Sequence, residues 1–421
     1  MKYLICLLSG FLLLSFSACE LFFFSRPNVG ELGRNIDTRT INDMKMIDSI
    51  AENIYIAENE SFVKNNVDEF IRIVDYIPLE TNENMIIGNI DKLILHNDIF
   101  YILDSNKAKS VFIFNKDGSY KGKISRFGQG RNEYRYLRDM ELDTINNQLI
   151  LYDRNDGKVL FFDLDGNFIK THKVGLRFSN FKIFPNGDFF FYTSNNQNVH
   201  NSHISGFNAL IGQLNGKMFY RCLKNCIFLE NLKIVDGYKL NEHNGNISFS
   251  PRLSNTIYEV EVNGQMRKVY NIQFPSGQME NYVQLDPSYP NFLNEIANAG
   301  YYYSLGGNLL MNDSLLYFLY VNNEGQYNHL WYNRNSMDFH ISKRFYSSSG
   351  RILSFSGRPL FSKNNQLIGV INASSAARSK SIFLEAHNKK NNGLSECLLS
   401  RIEAVTEYDN PILMIYEIKW N

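Results

Sequence analysis

Four groups of residues have types and spacings that invite chemistry. Arg126, Arg131, Glu133, Tyr134 and Arg135 crowd into one glycine-containing connection, Phe127-Gly128-Gln129-Gly130-Arg131-Asn132-Glu133-Tyr134, which could present charge and aromatic surface to a ligand. Asn115-Lys116-Asp117-Gly118 and Asp163-Leu164-Asp165-Gly166-Asn167 have the flavour of calcium loops, but no glutamate follows at the twelfth position. His200 and His203 stand three apart in a polar loop, a metal pair only if a third ligand arrives from elsewhere. Cys222 and Cys226 flank Leu-Lys-Asn, and on an extended strand their Cα atoms would be roughly 13 Å apart, too far to bridge.

Each group has a plainer structural explanation, and that explanation is preferred. Asp-Gly between two aromatic runs is what a hairpin turn requires. Glu133 can pair with an arginine to fix its own loop while the glycines supply left-handed backbone. The histidines are expected to be solvated, Cys222 and Cys226 to be two thiols, and Cys397 to be a core residue. No metal site and no cofactor is expected. Gly-x-Ser-x-Gly, His-Glu-x-x-His and the phosphate-binding Gly-x-x-x-x-Gly-Lys-Ser/Thr are all absent from the sequence. Catalytic residues can be dispersed along a chain and gathered only by folding, so missing motifs leave catalysis open.

The elements that position these residues are written as a repeat. An aromatic strand, a turn containing Asp-Gly and a further strand occur at Val111–Lys123 and again at Val159–Val174, with Gly118 and Gly166 48 residues apart. That is the length of one four-stranded propeller blade. The 421 residues contain 32 Phe, 25 Tyr and 2 Trp, and 44% of them are hydrophobic, the composition of a well-buried, strand-rich chain. Lys+Arg and Asp+Glu are balanced at 43 each, so no global field attracts nucleic acid, and no nucleic-acid partner is expected.

Parsing strands and turns from Phe70 onward gives six four-stranded antiparallel blades over 70–421, with a Pro/Asn-rich insertion at about 275–300. The aromatic residues are expected mostly to pack between blades. A ring of sheets must close, so Phe70–Leu79 and Ile412–Lys419 are predicted to meet in one blade.

Ahead of the ring, residues 1–18 have the form of an export signal: Lys2, then the apolar run Leu4–Phe16, then Ser17-Ala18-Cys19. Small residues before a cysteine resemble the lipobox of bacterial lipoproteins, which implies cleavage before Cys19 and lipid attachment to it. Residues 19–69 are expected to be a lipid-anchored tether with a short helix over Ile41–Ile54, where Met44, Ile47, Ile50 and Ile54 recur at three- and four-residue spacing. No run of acidic residues follows Cys19, which favours an anchor facing the periplasm over surface display.

Taken together, the lipobox, Tyr76-Ile77-Pro78-Leu79-Glu80-Thr81, the Phe127–Tyr134 segment and Asp409-Asn410-Pro411-Ile412-Leu413 resemble the six-bladed β-propeller lipoproteins of anaerobic Gram-negative gut bacteria. Where this family usually has Gly-x-Gly-Pro-Gly-Glu-Tyr, the chain has Gly128-Gln129-Gly130-Arg131-Asn132-Glu133-Tyr134. The resemblance implies an NHL-like propeller in the cell envelope and no catalytic residue. The functional expectation is a non-catalytic binding or scaffold module for a protein, peptide or glycan, with the membrane as partner through its anchor and Arg126, Arg131, Glu133, Tyr134 and Arg135 as the binding rim. The alternative is an envelope hydrolase or lyase acting on polysaccharide in the central channel.

Overall fold

The computed structural model describes residues 36–56, 63–83, 85–193, 198–224, 240–251, 254–275, 303–304, 309–355, 357–363, 365–388 and 395–420. Blade 1 shows how local chemistry builds the repeat. Lys92–His96 and Ile99–Asp104 form a hairpin whose turn, Asn97-Asp98, has φ of 48° and 59°, the left-handed pair that matches strand twist. Ser110–Asn115 and Tyr120–Ile124 complete the sheet across Asp117-Gly118. There Asp117 Oδ1 accepts from the Ser119 amide at 2.8 Å, and Gly118 has φ of 86°. A side chain on Gly118 would lie 2.4 Å from the Pro78 carbonyl oxygen, so both conformation and space demand glycine. The same turn recurs in blade 2, where Asp163 Oδ1 accepts from the Asp165 and Asn167 amides. These aspartates cap turns, as the plainer explanation of the repeat requires.

Six antiparallel sheets make a six-bladed propeller. Its inner strands are Lys92–His96, Leu137–Asp143, Asn180–Ile183, Leu240–His243, Leu310–Met311 and Pro359–Lys363, each beside the next around the ring. Aromatic side chains fill the spaces between sheets: Tyr152 stacks on Phe178 with centroids 3.7 Å apart, and Trp331 is fully buried between blades 5 and 6. The ring closes as expected, because Ile412–Ile418 pairs with Gln366–Ile371 on one side and with Ile71–Pro78 on the other. Residues 276–302, which contain nearly all of the expected insertion, lie outside the described residues.

The expected tether is different in kind. Residues 36–56 are part of the ring, and the helix expected over Ile41–Ile54 is replaced by short strands laid parallel on the outer edges of two blades. Asn42–Asp43 lies along Tyr220–Arg221 in blade 3, Lys45–Met46 along Gln265–Met266 in blade 4, and Glu52–Tyr55 along Tyr270–Gln273. Val63 then bridges to Ile341 in blade 5 and Asn66 to Tyr346. Unpaired edge amides and carbonyls outcompete a marginal helix. Met44 and Ile54 are buried, but Ile50 is fully exposed, so the helical spacing did not mark one buried face.

Blade 6 contains a second correction. The run Ile382–Ala386, which the six-blade parse of the sequence counts as a strand of the last blade, lies inside the helix Ala373–Asn388, which inserts with Glu396–Ala404 between two strands of the blade. Ala376 and Phe383, seven positions apart, are buried against the closing blade, and the Phe383 ring meets Tyr76 edge-on at 5.4 Å. Among the described residues no helix is long and apolar enough to cross a membrane.

Closure yields a stability test. Deleting residues 412–421 strips Ile71–Pro78 of its partner strand and opens the ring, so the cooperative melting transition followed by circular dichroism is expected to vanish. An unchanged melting curve would contradict the closure.

Candidate functional site

The loop singled out in the sequence is locked onto blade 2. Tyr134 is fully buried: its hydroxyl donates to the Lys109 carbonyl at 2.8 Å and accepts from the Arg126 amide at 3.1 Å. Burial pushes that hydroxyl up to about 12. Glu133 folds back to accept from the Gly130 amide at 2.8 Å, and Arg135 pairs with Asp156 while its own amide donates to Asp153. Lys158 Nζ reaches the Gly130 carbonyl at 3.3 Å, and Thr171 Oγ1 reaches that of Arg131 at 3.2 Å. Those contacts fall on the two outer strands of blade 2, away from the ring axis. Glu133, Tyr134 and Arg135 therefore hold the connection together rather than form a channel rim. Arg126 and Arg131 are exposed, with the Arg126 guanidinium 5.1 Å above the Phe168 ring.

The remaining sequence candidates are also accounted for. His200 hydrogen-bonds the Gly175 carbonyl at 2.8 Å, and burial lowers its pKa; His203 is exposed. No group of three metal-ligating side chains occurs among the described residues. Cys222 is a buried thiol pushed well up by desolvation, whereas Cys226 and Cys19 lie outside the described residues. Cys397, expected in the core, is exposed on its helix.

What the linear sequence did not single out is a chamber on the ring axis. About 330 Å³ in volume, it is lined by every blade in turn, through Lys92, Glu141, Lys182, Asn241, Leu310 and Ser362. Thr144 and His96, where inner strands turn outward, also line it, so it opens at that end of the ring. Its floor is ionic. Lys92 Nζ donates to Asp139 Oδ1 at 3.0 Å and Glu141 Oε2 at 3.1 Å, and Lys182 Nζ donates to the same Glu141 oxygen at 2.8 Å. Phe181 supplies its amide to Asp139 Oδ2 at 3.0 Å, and Asn241 Nδ2 donates to the Met311 carbonyl at 2.5 Å. Three consecutive inner strands are thus cross-linked through side chains.

Burial and neighbours push the two carboxyls apart. Desolvation dominates at Asp139, which has one lysine, and raises its pKa. Glu141 suffers the same desolvation, yet Lys182 and Lys92 together hold it below the ordinary carboxylate range. Burial alone would lower Lys92, but the attraction of Asp139 and Glu141 carries it above its usual value. A raised and a lowered carboxyl side by side is an acid/base pattern. Here, however, both Asp139 oxygens are engaged, and Glu141 Oε1 accepts from the Leu142 amide at 3.3 Å. Every carboxylate oxygen at the floor already has a donor. Nearer the beginning of the inner strands, Arg154 is lowered by desolvation first and by the charges of Arg138 and Arg177 after it. The signal for the floor was present in the sequence as charged residues inside inner strands where apolar ones are expected.

The family described as "Domain of unknown function (DUF4934)" matches residues 51–417, and the chain belongs to it. Its fold is similar to that of a Bacteroides fragilis protein described as exported, at a TM-score of 0.67 and 16% identity, covering 87% of this chain and 100% of that one. A member of the DUF4221 family from Bacteroides vulgatus aligns at 0.47 and 10% identity, over 83% of this chain and 98% of that one. Virginiamycin B lyase from Staphylococcus aureus aligns at 0.40 and 12% identity, over 71% and 81%. No curated protein matches the sequence.

The ion cluster makes a signed prediction. Asp139's folded-state pKa lies above its unfolded value, so its contribution to stability is full below the unfolded pKa and is lost as pH rises through the folded one. Replacing Lys92 by Met removes its cation, raises that pKa further and should cost about 3–5 kcal/mol. The variant is expected to unfold more readily at about pH 8 than at about pH 5 in urea titrations, with the added Asp139→Asn change restoring much of the loss.

Proposed function

We propose that this DUF4934 member is a lipid-anchored envelope protein that binds, without transforming it, a protein, peptide or glycan at the mouth of its axial chamber. The observation that carries the reading is the floor of that chamber, where Lys92, Asp139, Glu141 and Lys182 satisfy one another. A general base needs a carboxylate oxygen free to meet the substrate, whereas each of these oxygens is already held by a donor and Asp139 is fully buried. A volume of about 330 Å³ lies at the small end of ligand sites, so it suits one inserted side chain or sugar ring rather than an enclosed polymer. Lys182, 19% exposed at its side chain, is the floor cation that such a group would meet.

The reading as a hydrolase or lyase is favoured by one observation, the opposed shifts of Asp139 and Glu141. It would require Lys92 or Lys182 to let go of a carboxylate when substrate arrives. The binding reading requires no rearrangement.

Export and anchoring rest on the sequence of residues 1–19, with Cys19 as the lipid-bearing residue and the propeller facing the periplasm. Export is also what is said of the Bacteroides fragilis protein of similar fold.

Two experiments test this reading. Calorimetric titration of envelope glycans and peptides into the mature chain should give binding that Ser362→Trp, which fills the mouth, weakens by about tenfold or more. Turnover of any of these ligands, abolished by Asp139→Asn, would replace binding with catalysis. Separately, Cys19→Ala should release the protein from the membrane fraction and abolish labelling by fatty acid. Retention of both in that variant would remove the anchor.

A further inference from the structure

We propose a second binding site, for a carboxylate carried on an apolar body, in a cavity of about 400 Å³ on the outer side of blade 6. Its walls come from Ile71–Pro78, from the 347–352 loop and from the last turn of the helix Ala373–Asn388. Ile71, Ile73 and Ile352 give it an apolar surface, and its volume lies within the ~300–1,000 Å³ of small-molecule sites.

The charges around that surface are unbalanced. Arg72, Arg351 and Lys419 line the cavity against one carboxylate, Asp68. Asp68 is occupied: its oxygens accept from Ser347 Oγ at 2.8 Å, from the Ser349 amide at 2.8 Å and from Ser348 Oγ at 3.2 Å. Arg72 is paired with Glu417, and Lys419 Nζ donates to the Asp68 backbone carbonyl at 2.7 Å. Arg351 is different, because among the described residues its guanidinium has no partner, although its amide donates to Ser349 Oγ at 3.2 Å. The loop that carries it is fixed from both ends. Asp68 holds the three serines, and Gly350, at φ of 69°, sits where a Cβ would lie 2.6 Å from the Ile382 side chain.

An exposed guanidinium beside an isoleucine wall, carried on a fixed loop and with its neighbouring carboxylate already taken, selects an anion with an apolar body. The planar fork suits a carboxylate, and the wall suits an acyl, aryl or branched aliphatic group. A free organic acid and the C-terminal residue of a peptide both present this chemistry.

The test uses the mature chain and calorimetric titration with octanoate, octanamide and an acetylated tripeptide ending in leucine, with a free or an amidated C-terminus. Octanoate or the free-acid peptide is expected to bind at least tenfold more tightly than its amide. Arg351→Gln should weaken that binding about tenfold while leaving the melting curve unchanged, because the side chain supports no other contact. Binding of octanoate alone assigns the site to free acids, and binding of the peptide assigns it to chain ends. Equal binding of acid and amide, indifference to Arg351→Gln, or no heat with any probe at about 1 mM would overturn the proposal. Lys182→Met, in the axial chamber, should leave this binding untouched.

Discussion

A four-stranded blade has two exposed edges, and nearly everything in this molecule follows from how those edges are dealt with. The inner edges disappear by converging on the axis, where six short strands bring side chains from every blade into one chamber. The break in the ring disappears because Ile71–Pro78, from near one end of the chain, pairs with Ile412–Ile418 from the other. Closure at that blade is thus a condition for the chamber to exist. Without it the lysines and carboxylates of the inner strands would have no fixed geometry.

Outer edges receive a different treatment, which correlates with the inner strands. Blades 1, 2 and 6 have inner strands of 5, 7 and 5 residues, whereas those of blades 3 and 4, Asn180–Ile183 and Leu240–His243, have 4 each. Residues 42–55 lie along the outer edges of those last two blades, and Val63 bridges to Ile341 in blade 5. In blades 3 and 4 the added strands supply backbone pairing at the rim. Tyr332 in blade 5 adds a side-chain link to this strap by donating to Glu52.

How much of this was legible depends on how far apart the interacting residues lie. The Asp-Gly turns, the blade length and the aromatic core are local or repeat at one period, and Asp117, Gly118, Asp163 and Gly166 could be assigned from their neighbours alone. Closure was legible because a ring has only one way to pair its ends. The strap was not, since Asn42 meets Tyr220 and Glu52 meets Tyr270 through backbone groups that leave no trace in side-chain pattern. The helix Ala373–Asn388 was missed because Ile382-Phe383-Leu384 mimics a strand when Ala376, on the same buried face as Phe383, is left out of the window. The loop Gly128–Tyr134 attracted attention through its charges, yet Glu133 and Arg135 spend those charges on Gly130 and Asp156.

That last contrast bears on how propeller sites are recognised. Charge density in a connecting loop is a poor guide, because loops need ion pairs and capped turns to hold their own backbone. Charge inside a strand is a better one: Lys92, Asp139, Glu141 and Lys182 occupy positions where an apolar residue would be cheaper by the full cost of desolvation. Two lysines against two carboxylates keep that cost tolerable while the cluster remains intact. The arrangement fixes the relative rotation of blades 1, 2 and 3, since three donor distances between 2.8 and 3.1 Å are satisfied at once. A hydrophobic floor of equal volume could stabilise as well, but it would not present Lys182 to an entering group at a defined point on the axis. The cluster is best understood as a rigid polar seat, stiff because its groups are paired, with both lysines lining the chamber.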